Sequence, residues 1–170
     1  MRQPFACLDA AYTDRAASAA CVLFAAWDAA APLRILTTRR AAAAAYEPGA
    51  FYKRELPLLL AVLARLEHRP SMLVIDGYVW LAGEDRPGLG AMLYRELAQH
   101  VPVVGVAKSA FAGASASIPV IRGGSRRPLF VSAAGIETAT AASGVRSMHG
   151  RHRIPTLLQL ADHAARAALA

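Results

Sequence analysis

Three apolar runs open the chain, Phe5–Tyr12, Ala20–Trp27 and Leu33–Arg40, and turn-rich Thr13-Asp14-Arg15 and residues 28–32 separate them. Gaps this short leave no room for a helical crossover, so the runs are expected to pair as an antiparallel meander. Whatever follows must then add to a sheet already begun. Pro48-Gly49 punctuates the next stretch, and a helix is expected just afterwards. Leu56, Leu59, Leu60, Leu63 and Leu66 recur at helical spacing and carry it to about Glu67. Met72–Asp76 reads as a short buried strand, Pro87–Gln99 as a helix opened by proline, and Val101–Ala107 as another strand. Strand, helix and strand in about 35 residues form a parallel crossover unit.

Ile118–Ile121 and Leu129–Ser132 flank Arg122-Gly123-Gly124-Ser125-Arg126-Arg127-Pro128, which reads as a hairpin with a basic tip. Helical patterns return over Glu137–Met148 and Thr156–Ala170. The expected fold class is therefore α/β: a mixed sheet, antiparallel meander first and parallel strands next, covered by helices. That is the order found in ribonuclease H-like domains.

The 170 residues predict one domain spanning 1–170, and 55% hydrophobic residues exclude disorder. Charged residues or proline interrupt every run approaching the roughly 18 apolar residues of a membrane span. Met1 to Phe5 lacks the apolar core of an export signal, so a cytoplasmic monomer is expected. Cys7 and Cys21 show no metal-ligand spacing and read as small buried hydrophobes. A net charge of +7 and an isoelectric point near 10.1 favour a polyanionic partner, DNA or RNA. Neither a glycine-rich phosphate loop nor a Gly-x-Ser-x-Gly elbow is present.

With only 12 acidic residues, their positions carry weight. Asp9 lies inside Phe5-Ala6-Cys7-Leu8-Asp9-Ala10-Ala11, and Asp76 ends Met72-Leu73-Val74-Ile75. A carboxylate at the end of a buried strand must be hydrogen-bonded, protonated or bound to a cation. Glu55 shares a helical face with Leu59, Val62, Leu63 and Leu66, and Asp162 shares one with Leu158, Ala165 and Leu169, so both are expected to face inward. Four acids converging at one end of a sheet would repel strongly without a divalent cation, and oxygen ligands suit Mg²⁺ or Mn²⁺. The alternative is ordinary surface pairing of each acid with an arginine.

The chain resembles the endonuclease V family, deoxyinosine-directed nucleases with a ribonuclease H-like core. The resemblance rests on motifs in the family's order: Leu8-Asp9-Ala10-Ala11-Tyr12; Tyr46-Glu47-Pro48-Gly49 leading to Phe51-Tyr52-Lys53-Arg54-Glu55-Leu56-Pro57; and Val74-Ile75-Asp76-Gly77. It continues through Gly105-Val106-Ala107-Lys108-Ser109, Pro128-Leu129-Phe130-Val131-Ser132, and Arg153-Ile154-Pro155 through Ala161-Asp162. It implies a Mg²⁺- or Mn²⁺-dependent endonuclease with catalytic Asp9, Glu55, Asp76, Lys108 and Asp162, the four acids being metal ligands. Nucleic-acid contacts are expected at Tyr12, Tyr46, Pro48, Gly77, Gly105 and Lys108, and phosphate contacts at Arg122, Arg126 and Arg127.

Departures fall around the base pocket. Asp76-Gly77-Tyr78-Val79 stands where members read Asp-Gly-His-Gly, and Met92 replaces a frequent histidine. Weaker discrimination of inosine is the expectation, since valine leaves less room than glycine for a flipped base. Two other readings are a non-catalytic nucleic-acid-binding module of the same fold and a nuclease directed by strand structure.

Overall fold

A computed structural model describes residues 3–41, 51–82, 86–113 and 116–170 of the chain. In chain order the elements are β1 (Phe5–Tyr12), β2 (Ala16–Phe24), β3 (Arg34–Ala41), α1 (Phe51–Leu63), β4 (Met72–Asp76) and α2 (Leu89–Glu96). They continue with β5 (Val103–Ala107), β6 (Ile118–Val120), β7 (Leu129–Ala134), α3 (Thr138–Ser147) and α4 (Thr156–Ala167).

The strands form one seven-stranded sheet in the order β3-β2-β1-β4-β5-β7-β6. β1, β2 and β3 pair antiparallel; β1, β4 and β5 pair parallel; β7 returns antiparallel beside β5 and carries β6 on its outer edge. This is the expected ribonuclease H-like mixed sheet. Strand alternation sorts the side chains onto two faces. Leu8, Leu73 and Ile75 pack with Leu56, Leu59 and Val62 of α1 and Leu93 of α2. Cys7, Val74 and Val104 pack with Val145 of α3 and Leu157, Leu158 and Ala161 of α4. The two cysteines lie on opposite faces, each free and buried, so they are the small hydrophobes expected, and burial raises both thiol pKa values.

Several bounds differ from expectation, α1 ending at Leu63 rather than about Glu67 and β5 starting at Val103 rather than Val101 among them, and in two elements, β2 and α2, the cause is visible. β2 spans Ala16–Phe24 rather than Ala20–Trp27. The Thr13 hydroxyl accepts the Ala16 N–H at 3.0 Å and the Thr13 N–H reaches the Ala16 carbonyl at 2.8 Å, which closes the turn early and starts the strand at once. Trp27 instead lies against α3, where a Cβ on Gly144 would come within 2.3 Å of its ring. α2 begins at Leu89 rather than Pro87, because Pro87 bridges to Trp80 and the Gly88 N–H is bonded to the Val79 carbonyl at 2.8 Å. No described helix is long and apolar enough to cross a membrane.

Candidate active site

Register places the first two acids. Leu8 of β1 lies opposite Ile75 of β4 in a parallel pair, so Asp9 and Asp76 follow side by side where that pairing ends, Asp76 closing β4 and Asp9 still inside β1. Alternation turns both toward the α4 face, since Leu8 and Ile75 point to the other. Asp162 approaches from α4 and Glu55 from the first turns of α1, and each is half-buried. Lys108, one residue beyond β5, makes an ion pair with Asp76 Oδ2. Asp162 Oδ1 accepts a hydrogen bond from Arg166 Nε at 2.8 Å, one helical turn on.

The electrostatics show that these groups share one field. Burial, with the charge of Asp76 next, raises the Asp9 pKa to about 7 despite the Ala10 N–H that donates to Oδ1 at 2.8 Å. Burial and the charges of Asp9 and Asp76 likewise raise Glu55 to about 7. Burial works against the Lys108 ammonium, but the hydrogen bond and charge of Asp76, with Asp9 and Asp162 behind it, raise its pKa overall. An all-carboxylate donor set under mutual repulsion fits a hard divalent cation. Among the described residues, no three His, Cys, Asp or Glu side chains already stand close enough to hold an ion, so the four acids surround the strand ends without forming a finished cage.

The backbone around Asp76 is built for close approach. Gly77 has φ of +124°, a conformation that side-chain-bearing residues rarely adopt, and it turns the chain sharply after the carboxylate. Gly105 lies directly beneath, where a Cβ would meet the Gly77 carbonyl at 2.6 Å and the Val79 nitrogen at 2.8 Å. Gly105 is fully covered, so its expected contact with nucleic acid is corrected: it makes room for the 77–79 segment instead. The buried Ser132 hydroxyl accepts the Val79 N–H at 2.9 Å, a role with no warning in the sequence beyond a hydroxyl inside an apolar strand.

A pocket of about 250 Å³ opens beside the acids, lined in part by Tyr52, Glu55, Asp76, Gly77, Tyr78 and Leu89. Val79 does not line it. Its side chain is fully buried against Gly90, so the expected narrowing of the base pocket by valine is corrected. Tyr78 spans the pocket's rim: its hydroxyl donates to the Ser109 carbonyl at 2.7 Å and accepts the Phe111 N–H at 3.2 Å. Sequence reasoning missed this brace on the loop that begins with Lys108. Tyr12 sits under the Arg54 guanidinium, 4.1 Å from the ring centroid.

Arg122 is corrected as a phosphate contact. It is only 7% exposed, and its guanidinium donates to the carbonyls of Met148, Gly150, His152 and Arg153. It fastens the hairpin to the α3–α4 connection, leaving Arg126 and Arg127 exposed at the tip. Arg153 is used similarly, donating to the carbonyls of Lys108 and Pro128. Tyr46 and Pro48 lie outside the described residues.

Sheet order and the acids grouped where the β1–β4 pairing ends define the class, a ribonuclease H-like α/β chain with a carboxylate centre. A family model for Endonuclease V matches residues 2–123, a stretch containing Asp9, Glu55, Asp76 and Lys108, with Asp162 beyond it. The endonuclease V of Rhodospirillum centenum is 32% identical over 157 residues, covering 79% of this chain and 64% of that protein. That of Roseiflexus castenholzii is 30% identical over 175 residues, covering 91% and 77%. The chain belongs to the endonuclease V family. It spans less than two thirds of the length of the Rhodospirillum relative.

Solved structures agree. The endonuclease V of Streptomyces avermitilis superposes with a TM-score of 0.77 at 26% identity, over 99% of this chain and 82% of that one. Human ENDOV gives 0.80 at 21%, over 99% and 84%. The Ciona intestinalis endonuclease V, in complex with a 24mer DNA containing an inosine followed by a ribo-adenosine, gives 0.73 at 20%, over 98% and 86%. The last two share the fold.

Proposed function

We propose that this chain is a divalent-metal-dependent endonuclease that hydrolyses phosphodiester bonds in deaminated, inosine-containing DNA. The observation that supports the reading is that Asp9, Glu55, Asp76 and Asp162, from two strands and two helices, fall within one electrostatic field, with Lys108 paired to Asp76. Asp9 of β1 and Asp76 at the end of β4 would hold the cation, with Glu55 and Asp162 as its further oxygen ligands. A cation bound there would supply the positive charge needed to activate water and to stabilise the leaving oxygen. Lys108 balances charge on the attacked phosphate, as a positioned ammonium does in phosphoryl transfer. The pocket beside Glu55 and Asp76 takes the extruded base, with Gly77 allowing the backbone to approach it.

The all-oxygen donor set supports Mg²⁺ or Mn²⁺ as the ion. A DNA substrate, with RNA as the alternative, is in keeping with the Ciona relative, which was crystallised with an inosine-containing DNA that also carries a ribo-adenosine. The reading includes a monomer acting in the cytoplasm.

The test is cleavage of matched oligonucleotides with and without inosine in Mg²⁺ or Mn²⁺. Cleavage confined to the inosine strand, abolished by chelation and by Asp76→Asn with DNA binding retained, is the expected result. Cleavage by Asp76→Asn at the unmodified rate overturns the nuclease reading.

A further inference from the structure

The acidic centre lies in the middle of the sheet's end, and the edges at that same end are basic. On one side is the β6–β7 hairpin: Phe130 pairs with Ala107, the residue before Lys108, so the tip with Arg126 and Arg127 projects from the rim that carries the acids. On the other side is β3. Arg40 pairs with Ala17, which pairs with Tyr12, three residues past Asp9, so Arg39 and Arg40 end the outer strand at that rim. Both are exposed, as is Arg15 in the adjoining turn, where its N–H is bonded to the Thr13 hydroxyl at 3.3 Å. The turn also carries the exposed Asp14. Among the described residues, Arg39 Nη1 donates to the Ala170 carbonyl at 3.3 Å.

We propose that Arg15, Arg39 and Arg40 form a second phosphate-binding arm. A DNA duplex then lies across the strand ends, gripped at both sheet edges with its central part over the carboxylates. This rests on the nuclease reading above and assigns it a footprint. Six inter-strand steps of about 4.8 Å separate β3 from β6 by about 29 Å. That is the length of about eight or nine base pairs at about 3.4 Å each. The charge pattern suits such a duplex, because cations at the edges attract the backbone while the carboxylates accept it only once a divalent ion has neutralised them.

The experiment measures binding of unmodified 6- and 16-base-pair DNA duplexes across a salt series at a fixed concentration of Ca²⁺, an oxygen-seeking divalent ion that neutralises the carboxylates, and the duplexes are checked to be intact after each titration, so that the readout is binding alone. Wild type is compared with Arg39→Ala/Arg40→Ala, with Arg126→Ala/Arg127→Ala, and with a charge-matched control, Arg34→Ala/Arg69→Ala, at the opposite end of the strands. Each arm variant is expected to lose about tenfold in affinity for the longer duplex and about two units of log–log salt slope, roughly 0.9 per phosphate contact. Neither should lose as much on the short duplex, which cannot reach both arms, and the control should resemble wild type.

Wild-type affinity and slope in Arg39→Ala/Arg40→Ala, with a loss in Arg126→Ala/Arg127→Ala, overturn the second arm and leave the nuclease reading standing. Equal losses in the control reduce the effect to net charge and also overturn it. Failure of wild type to bind either duplex overturns the footprint, while the nuclease reading stands or falls on the cleavage assay with inosine-containing strands.

Discussion

Asp9 and Glu55 are held against their ordinary ionisation first by burial and then by neighbouring carboxylates, Asp76 and Asp162 for Asp9 and Asp9 and Asp76 for Glu55, and the cost has a sign. In the folded chain Asp9 titrates near 7 against an ordinary 3.8, and Glu55 near 7 against 4.5. Between those values the folded state keeps protons that the unfolded state has lost, so stability falls as pH rises. The contribution is fully present below about 4 and is lost as pH passes about 7, on the order of a few kcal/mol for Asp9. In EDTA, thermal melts should therefore show the unfolding temperature falling from pH 5 to pH 8, and Asp9→Asn should melt higher than wild type at pH 8. A flat profile would contradict the buried, mutually repelling carboxylates. Asp9 and Asp76 were readable as residues because each interrupts or ends an apolar strand run, where an unpaired carboxylate is expensive. The roles of Ser132 and Arg122 were not, because a hydroxyl or guanidinium acquires its meaning from which carbonyl or amide comes to meet it.

Among the elements, the hairpin and the loop after β5 show how local structure is tied to the site. Arg122 joins the β6–β7 connection to four carbonyls in residues 148–153. Arg122→Ala strands those acceptors, that of Met148 buried and the other three partly so, and is expected to destabilise the fold by about 2–4 kcal/mol in urea titration. Arg126→Ala, at the exposed tip, should stay within about 0.5 kcal/mol. Equal effects would mean the clamp contributes nothing. Tyr78 braces the loop that follows Lys108, so Tyr78→Phe should speed hydrogen exchange at the Phe111 amide by at least severalfold while amides of β5 stay protected. Unchanged exchange at Phe111 would rule the brace out. Most elements were legible from period and punctuation: β1 and β4 run as expected, and α1, α3 and α4 fall within their helical patterns. β2 was displaced because Ala16 to Ala20, featureless as a pattern, are buried between helices on both faces.

At the scale of the whole molecule, the acids join the opening strand to the closing helix. A divalent cation bound there would link β1, α1, β4 and α4, so saturating Mg²⁺ or Mn²⁺ should raise the unfolding temperature in one cooperative transition, the stabilisation being about 2.7 kcal/mol at a hundredfold excess over Kd. Asp9→Asn and Asp162→Asn should each remove most of that gain, although the two residues lie near opposite ends of the sequence; full retention in either would exclude that residue as a ligand. The amino-acid sequence by itself determined which segments are strands or helices, which faces they bury, and that several carboxylates sit where carboxylates are costly. Hydrophobic periodicity records the burial of each element one at a time, and family motifs mark individual positions. Only the tertiary structure decided that Val79 faces the core rather than the pocket, that Gly105 serves the backbone above it, that Arg122 is consumed as a clamp, and that both basic edges flank the acids. Those outcomes depend on which distant groups the sheet order brings within hydrogen-bonding or contact distance, and no local pattern encodes the partner.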